Sequence, residues 1–180
     1  VSTHWAYASG LVGRPAWASN PVVVLLMATL GVVFVSTTHF WINHRLIHCV
    51  PLYRRVHALH HRNPNPTPWT GISMHPFEHL VYFSGFLVFW VLPVHPLVIL
   101  MFVMYDGPGP APSHSGFARV RIGRWEVPTG DLFHQLHHRY FEVNYGNTQM
   151  PIDKWTGTWH DGTKVTHERL KGRRRADQET

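Results

Sequence analysis

The 180-residue chain carries 16 Lys+Arg, 10 Asp+Glu and 16 His beside a single Cys. Its charged fraction is 14%, against about 25% in an average soluble domain, so few groups are available to coat a water-facing surface. Eight Trp, ten Phe and six Tyr exclude a disordered chain, and the lone Cys49 excludes a disulfide scaffold or a cysteine-based zinc finger.

The length predicts one domain, residues 1–180. Because the first residue is Val1, the sequence is read as an N-terminally truncated piece of that domain. The first predicted element is the apolar stretch Pro21 to Ile42, with Val22–Val35 almost wholly apolar. A bilayer crossing needs about 20 such residues, so this stretch predicts a membrane span; a buried core helix of a soluble protein is the alternative reading. Neither a basic leader nor a small-residue cleavage site flanks it, which argues against a signal peptide.

Histidine blocks follow at regular spacing. His44-Arg-Leu-Ile-His48 places two imidazoles four residues apart. His57-Ala-Leu-His60-His61 and His134-Gln-Leu-His137-His138 each place three at i, i+3 and i+4. On a helix these positions share a face, so each block is expected to aim its rings in one direction, as a metal requires. Imidazole suits Zn, Cu, Fe and Ni. With about four ligands to a structural ion, eight such histidines suggest two metal ions. No Glu-x-x-His pair is present, so a dinuclear centre would be nearly all-histidine. His75 and His114 are further candidates, balanced between a ligand and a hydrogen-bonding role. His79 is a weaker one, and His39 is either functional or a hydrogen-bonded group inside the span. His4, His95, His160 and His167 lack partners at ligand spacing. Asp131 and Glu78 stand where a carboxylate can orient a metal-bound imidazole, although Asp131 is equally placed to cap a helix. Asn144-Tyr145-Gly146 and Asp153 are expected to shape the turn after the last block.

The second apolar stretch, Leu80 to Tyr105, is broken by Pro93-Val94-His95-Pro96. If one site draws ligands from both sides of this stretch, its ends must lie on the same membrane face. The stretch is too short for two full straight spans, and the prolines supply a turn. A helical hairpin or re-entrant pair is therefore expected. Basic residues cluster around the histidine blocks and toward the C-terminus, which by the positive-inside tendency places this part in the cytoplasm. Residues 171–180 read as a flexible basic tail. The fold class expected is all-α: an integral-membrane helical protein with one span, a hairpin or re-entrant pair, and a His-rich catalytic part on the cytoplasmic face.

The order HRLIH, HALHH, HPFEH, HSGF, HQLHH and Asn144-Tyr145-Gly146 resembles the integral-membrane fatty acid hydroxylase and sterol desaturase superfamily. Leu52-Tyr53-Arg54-Arg55-Val56-His57 and the text from His134 to Gly146 are especially similar to its bacterial sterol-desaturase-like branch. The resemblance covers about His39 to Gly162. It implies a non-haem di-iron oxygenase that hydroxylates or desaturates a lipid or sterol with dioxygen as co-substrate and two external electrons. It also implies His44, His48, His57, His60, His61, His134, His137 and His138 as iron ligands, with His114 and His75 at flanking positions of less uniform role. The sequence has no haem motif, flavin fingerprint or Cys cluster, so a separate donor is expected, either cytochrome b5-like or a ferredoxin/reductase; no nucleic-acid partner is expected. Two competing readings are a carotenoid-type hydroxylase with the same chemistry and a membrane metal-binding or transport protein. A transporter should carry polar groups along its spans, whereas here the blocks flank them.

Overall fold

The computed structural model describes residues 5–178 apart from 7, 12, 14, 15, 64–66 and 93, so His4 and Pro93 lie outside the described residues. The chain is mostly helical. Helix α1, Pro21–Ile47, is long and apolar enough to cross a membrane. Asn20 starts it by accepting hydrogen bonds from the amides of Val22 and Val23, and Pro21 stands in the first turn, where its missing N–H is not needed. One turn, Met27–Gly31, is widened to π geometry. Only 22% of its most apolar window is buried. Val22, Leu25, Leu30, Phe34, Ile42 and Leu46 are all exposed, as expected of a surface turned to lipid and not of a soluble core helix.

Helix α2, Val50–Arg55, and a tight 3-10 segment, His57–Arg62, follow. The second apolar stretch comprises α3 (Pro76–Phe83), a 3-10 turn, α4 (Val88–Val91) and α5 (Pro96–Asp106). It doubles back as expected. Tyr82 near its start donates to the Asp106 carbonyl at its end, at 3.0 Å, and Phe89 meets Phe102 edge-on at 5.2 Å. Between them Val24, Val32, Phe89, Val94, Val98 and Phe102 form one buried apolar cluster that ties the doubled segment to α1. A short helix α6, Pro110–Ser113, precedes an antiparallel pair of strands, β1 (Arg119–Ile122) and β2 (Trp125–Pro128).

This hairpin is an addition to the all-α expectation. Val120 faces Val127 and Ile122 faces Trp125, while Arg121 faces Glu126. The segment therefore alternates apolar and charged residues with the period of a strand, and Gly123 takes the positive φ of the two-residue turn. Helix α7, Asp131–Tyr140, carries the last histidine block. Helices α8 (Ile152–Thr156) and α9 (Lys164–Gln178) complete the chain, and the basic run Lys171–Arg175 lies within α9.

Candidate metal centre

Nine histidines from α1 and its C-cap His48, the 3-10 segment, the loop after α6 and helix α7 converge in two groups. His44, His48, His57, His61 and His137 form the first; His60, His114, His134 and His138 form the second. Within each group, one nitrogen per ring lies within 4.8 Å of all the others. All nine are buried except His48, which is half-buried.

The division follows helical spacing. Each i, i+4 pair shares a group: His44 with His48, His57 with His61, and His134 with His138. The i+3 member of each triple block turns to the other group, His60 to the second and His137 to the first. On a helix, i+4 sits to one side of residue i and i+3 to the other. A triple block thus reaches two neighbouring sites, which corrects the expectation that each block aims its rings at one place. That geometry accounts for the block on α7; the first triple block is a 3-10 segment, in which i and i+3 nearly eclipse, so α-helical spacing does not set its division.

The nitrogens facing one another are Nε2. His44 to His57 is 3.1 Å, His61 to His57 is 3.0 Å, His137 to His48 is 3.1 Å and His137 to His61 is 3.2 Å. In the second group His138 lies 3.0 Å from His134 and 3.1 Å from His60. With metal–nitrogen bonds of about 2.0–2.1 Å, adjacent ligands of one ion stand about 3 Å apart. These separations have that size.

Outer hydrogen bonds set which ring nitrogen carries hydrogen. His44 Nδ1 donates to the Tyr145 carbonyl at 2.5 Å, His137 Nδ1 to the Val143 carbonyl at 2.7 Å, and His114 Nδ1 to the Pro110 carbonyl at 2.7 Å. A carbonyl can only accept, so Nε2 of each ring keeps its lone pair. The His114 Nε2 is buried without a hydrogen-bond partner. Buried lone pairs brought together in this way could hold a shared cation.

The Tyr145 and Val143 carbonyls belong to the turn after α7. Asp153 accepts from the amides of Tyr145 and Gly146 at 2.9 and 2.8 Å, from Thr158 Oγ1 at 2.6 Å, and from Trp41 Nε1 at 3.3 Å. Asn144, in the left-handed region at φ 52°, donates to the carbonyls of Phe133 and His160 and accepts from the His160 amide. The expected turn residues are therefore present, and their contacts reach the histidine rings. Gly71 makes room at the second group, because a Cβ there would come within 2.8 Å of Pro110 and 3.1 Å of His114 Nδ1.

The other candidates fall elsewhere. The structure does not bring His75 to either group; it caps α3, accepting from the Phe77 amide at 3.1 Å. His95 caps α5 in the same way, through Leu97. His39 pairs with Ser84 Oγ at 3.0 Å, and His79 stacks on Phe83. His160 is buried, stacks on Tyr140 and accepts from the Gly162 amide on Nδ1 at 2.9 Å. Asp131 accepts from the Gly116 amide and from Gln135, and neither bond goes to a histidine. Glu78, in contrast, receives His57 Nδ1 on Oε1 at 2.7 Å, while its Oε2 is buried without a partner.

Burial, reinforced by repulsion from neighbouring imidazoles, holds His48, His57, His60, His61, His134 and His137 below the ordinary value of 6.5. The same causes push His138 down to about 3. Burial pushes the Glu78 carboxyl up to about 8. In the unfolded chain the imidazoles take up protons near 6.5 while the folded ones do not. The unfolded state then binds more protons, so stability rises with pH in that window. The melting temperature of metal-free protein is accordingly expected to fall steadily as pH drops from about 6.5 toward 3; a flat profile would contradict neutral, buried rings. Removing the Glu78 carboxyl group leaves the His57 Nδ1–H unpaired. Chelator competition with Glu78→Ala should show metal held about 10–100-fold more weakly, with helical circular dichroism unchanged.

The Fatty acid hydroxylase family model matches residues 29–158, which span both histidine groups. The chain belongs to the fatty acid hydroxylase family. Among curated relatives of this family member, a Delta(7)-sterol 5(6)-desaturase of Gibberella zeae is 28% identical over 67% of this chain and 33% of its own length. A methylsterol monooxygenase of Aspergillus fumigatus is 30% identical over 88% of this chain and 54% of its own. The mouse lathosterol oxidase is 29% identical over 78% and 47%. The chain thus spans between a third and about half of the length of these relatives. No solved structure matches it. The family, with α1, makes this a membrane protein.

Proposed function

We propose that this chain is a di-iron oxygenase domain that hydroxylates or desaturates a C–H bond of a lipid or sterol, using dioxygen and electrons from a separate carrier. One observation carries the reading. Histidines of both groups, His44 and His57 from the first and His60, His114 and His134 from the second, line a single cavity of about 550 Å³ whose surface is otherwise mainly apolar. Such a volume lies in the range of small-molecule sites. The names of the relatives, desaturase, monooxygenase and oxidase of sterols, point to the same substrate class.

Five histidines would hold one ion and four the other, and imidazole donors fit iron among the metals they favour. When bound, the iron pair supplies the redox chemistry that activates dioxygen. The residues of the chain do the rest. The Tyr145, Val143 and Pro110 carbonyls and Glu78 fix the rings, the buried surroundings exclude water, and the apolar cavity positions the substrate chain against the histidines. The basic residues around the blocks favour a cytoplasmic orientation. The test is oxygen consumption by full chain in lipid nanodiscs with iron, a reductant and an electron carrier. Consumption that rises with added sterol or fatty acyl lipid, with an oxidised lipid product, is expected. No lipid-dependent consumption with any of them would overturn the reading.

A further inference from the structure

The cavity has a polar wall that the reaction as described leaves unused. Asp106, at the end of α5, and Ser36, on α1, are 5% and 4% exposed and both line it. Ser36 Oγ donates to Asp106 Oδ1. Among the described residues the other carboxylate oxygen, Oδ2, has no hydrogen-bond partner. Tyr82, also on the wall, is turned to the Asp106 carbonyl and so leaves Oδ2 open. A carboxylate inside apolar surroundings is costly, and where it persists it marks a functional site with a partner to be named. Ser36 satisfies only half of it.

The spacing to the histidines is set by one rigid element. Ser36 and His44 lie on the same continuous α-helical part of α1, eight residues apart, hence about 12 Å apart along the axis. Both face the same cavity, and between them it is lined by apolar groups such as Phe40, Val81 and Met104. We infer that Asp106, supported by Ser36, anchors the hydroxyl of a neutral lipid alcohol, whose body runs along α1 to present a remote C–H bond to the histidine groups. This deepens the oxygenase reading and rests on it. A carboxylate oxygen accepts from a hydroxyl, and a bond to a charged group is stronger than one between neutral groups. An analogue lacking the hydroxyl leaves Oδ2 unpaired and binds less well. The anchor selects the alcohol; a sterol and a straight-chain alcohol both offer that chemistry.

Equilibrium binding to the full chain in phosphatidylcholine nanodiscs, with and without iron, separates these cases. The probes are cholestanol against cholestane and hexadecanol against hexadecane. Wild type is expected to hold at least one alcohol about tenfold or more tightly over its hydrocarbon, and the pair that shows the preference identifies the sterol or the linear source. Replacing both partners, Ser36→Ala with Asp106→Leu, should erase the preference while hydrocarbon binding persists. Should that variant fail to fold, Asp106→Asn keeps the shape and should lower the preference severalfold. Equal binding of alcohol and hydrocarbon by wild type, or an undiminished preference in the variants, would overturn the anchor. In turnover, oxidation at a carbon adjacent to the hydroxyl would contradict the spacing. Alcohol preference without lipid-dependent oxygen consumption would leave the anchor standing and remove the oxygenase reading. Lipid oxidation without alcohol preference would do the reverse.

Discussion

His137→Ala is expected to lower oxygen-dependent lipid product by at least about a hundredfold and to reduce metal content toward one ion per chain. His137 is fully buried. Its Nε2 faces His48 at 3.1 Å and His61 at 3.2 Å, and its Nδ1 is fixed by the Val143 carbonyl. Loss of an outer partner of a metal ligand already costs about 10–100-fold in affinity or activity, and loss of the donor itself exceeds that. Four histidines of the first group remain, so some residual metal at that site is compatible with the account; turnover is not. His75→Ala serves as the control, because His75 only caps α3. Its metal content should match wild type. Full metal and full turnover in His137→Ala would remove His137 from the centre.

Asp153→Ala is expected to cost about 3–5 kcal/mol of stability, because this 1% exposed carboxylate is the hub of the turn after α7. Four donors meet this carboxylate, two of them buried backbone amides, and each buried group stranded without a partner costs about 1–3 kcal/mol. The effect also travels. With Asp153 gone, the amides of Tyr145 and Gly146 lose their acceptor, and the Tyr145 carbonyl is held less firmly against His44 Nδ1 in the first group. Denaturant unfolding of metal-free protein isolates the stability loss, and chelator competition on folded protein isolates the effect on binding. Asp153→Asn, which keeps one acceptor oxygen, should fall between wild type and Asp153→Ala in both. An unchanged midpoint would show that the turn after α7 is held by other contacts.

Much of this centre was legible in the sequence, because the i, i+4 rule acts between residues one turn apart. The pairing of His44 with His48 and of His134 with His138 needs only helical periodicity. The same local rule could not say that His137 leaves its own block to join His44, since that depends on how α7 packs against α1. The outer partners were hidden for a related reason. The groups that orient His44 and His137 are backbone carbonyls of Tyr145 and Val143, and any residue type has a carbonyl. Asp153 was placed in the turn from its neighbours, but its bond to Trp41 joins residues more than a hundred positions apart. Ser36 and Asp106 are 70 apart and carry no motif. The β1–β2 hairpin did have a signal, the alternation of Arg119, Val120, Arg121 and Ile122. It is only four residues long and stands among arginines that also mark a membrane-facing surface.

The most direct measurement is metal identity and stoichiometry in the purified full chain, by mass spectrometry of metals against quantitative amino-acid analysis. Two histidine groups predict two irons per chain, with the loss of iron matched by the loss of lipid-dependent oxygen consumption. A single zinc per chain, or turnover that persists after all iron is removed, would contradict the account.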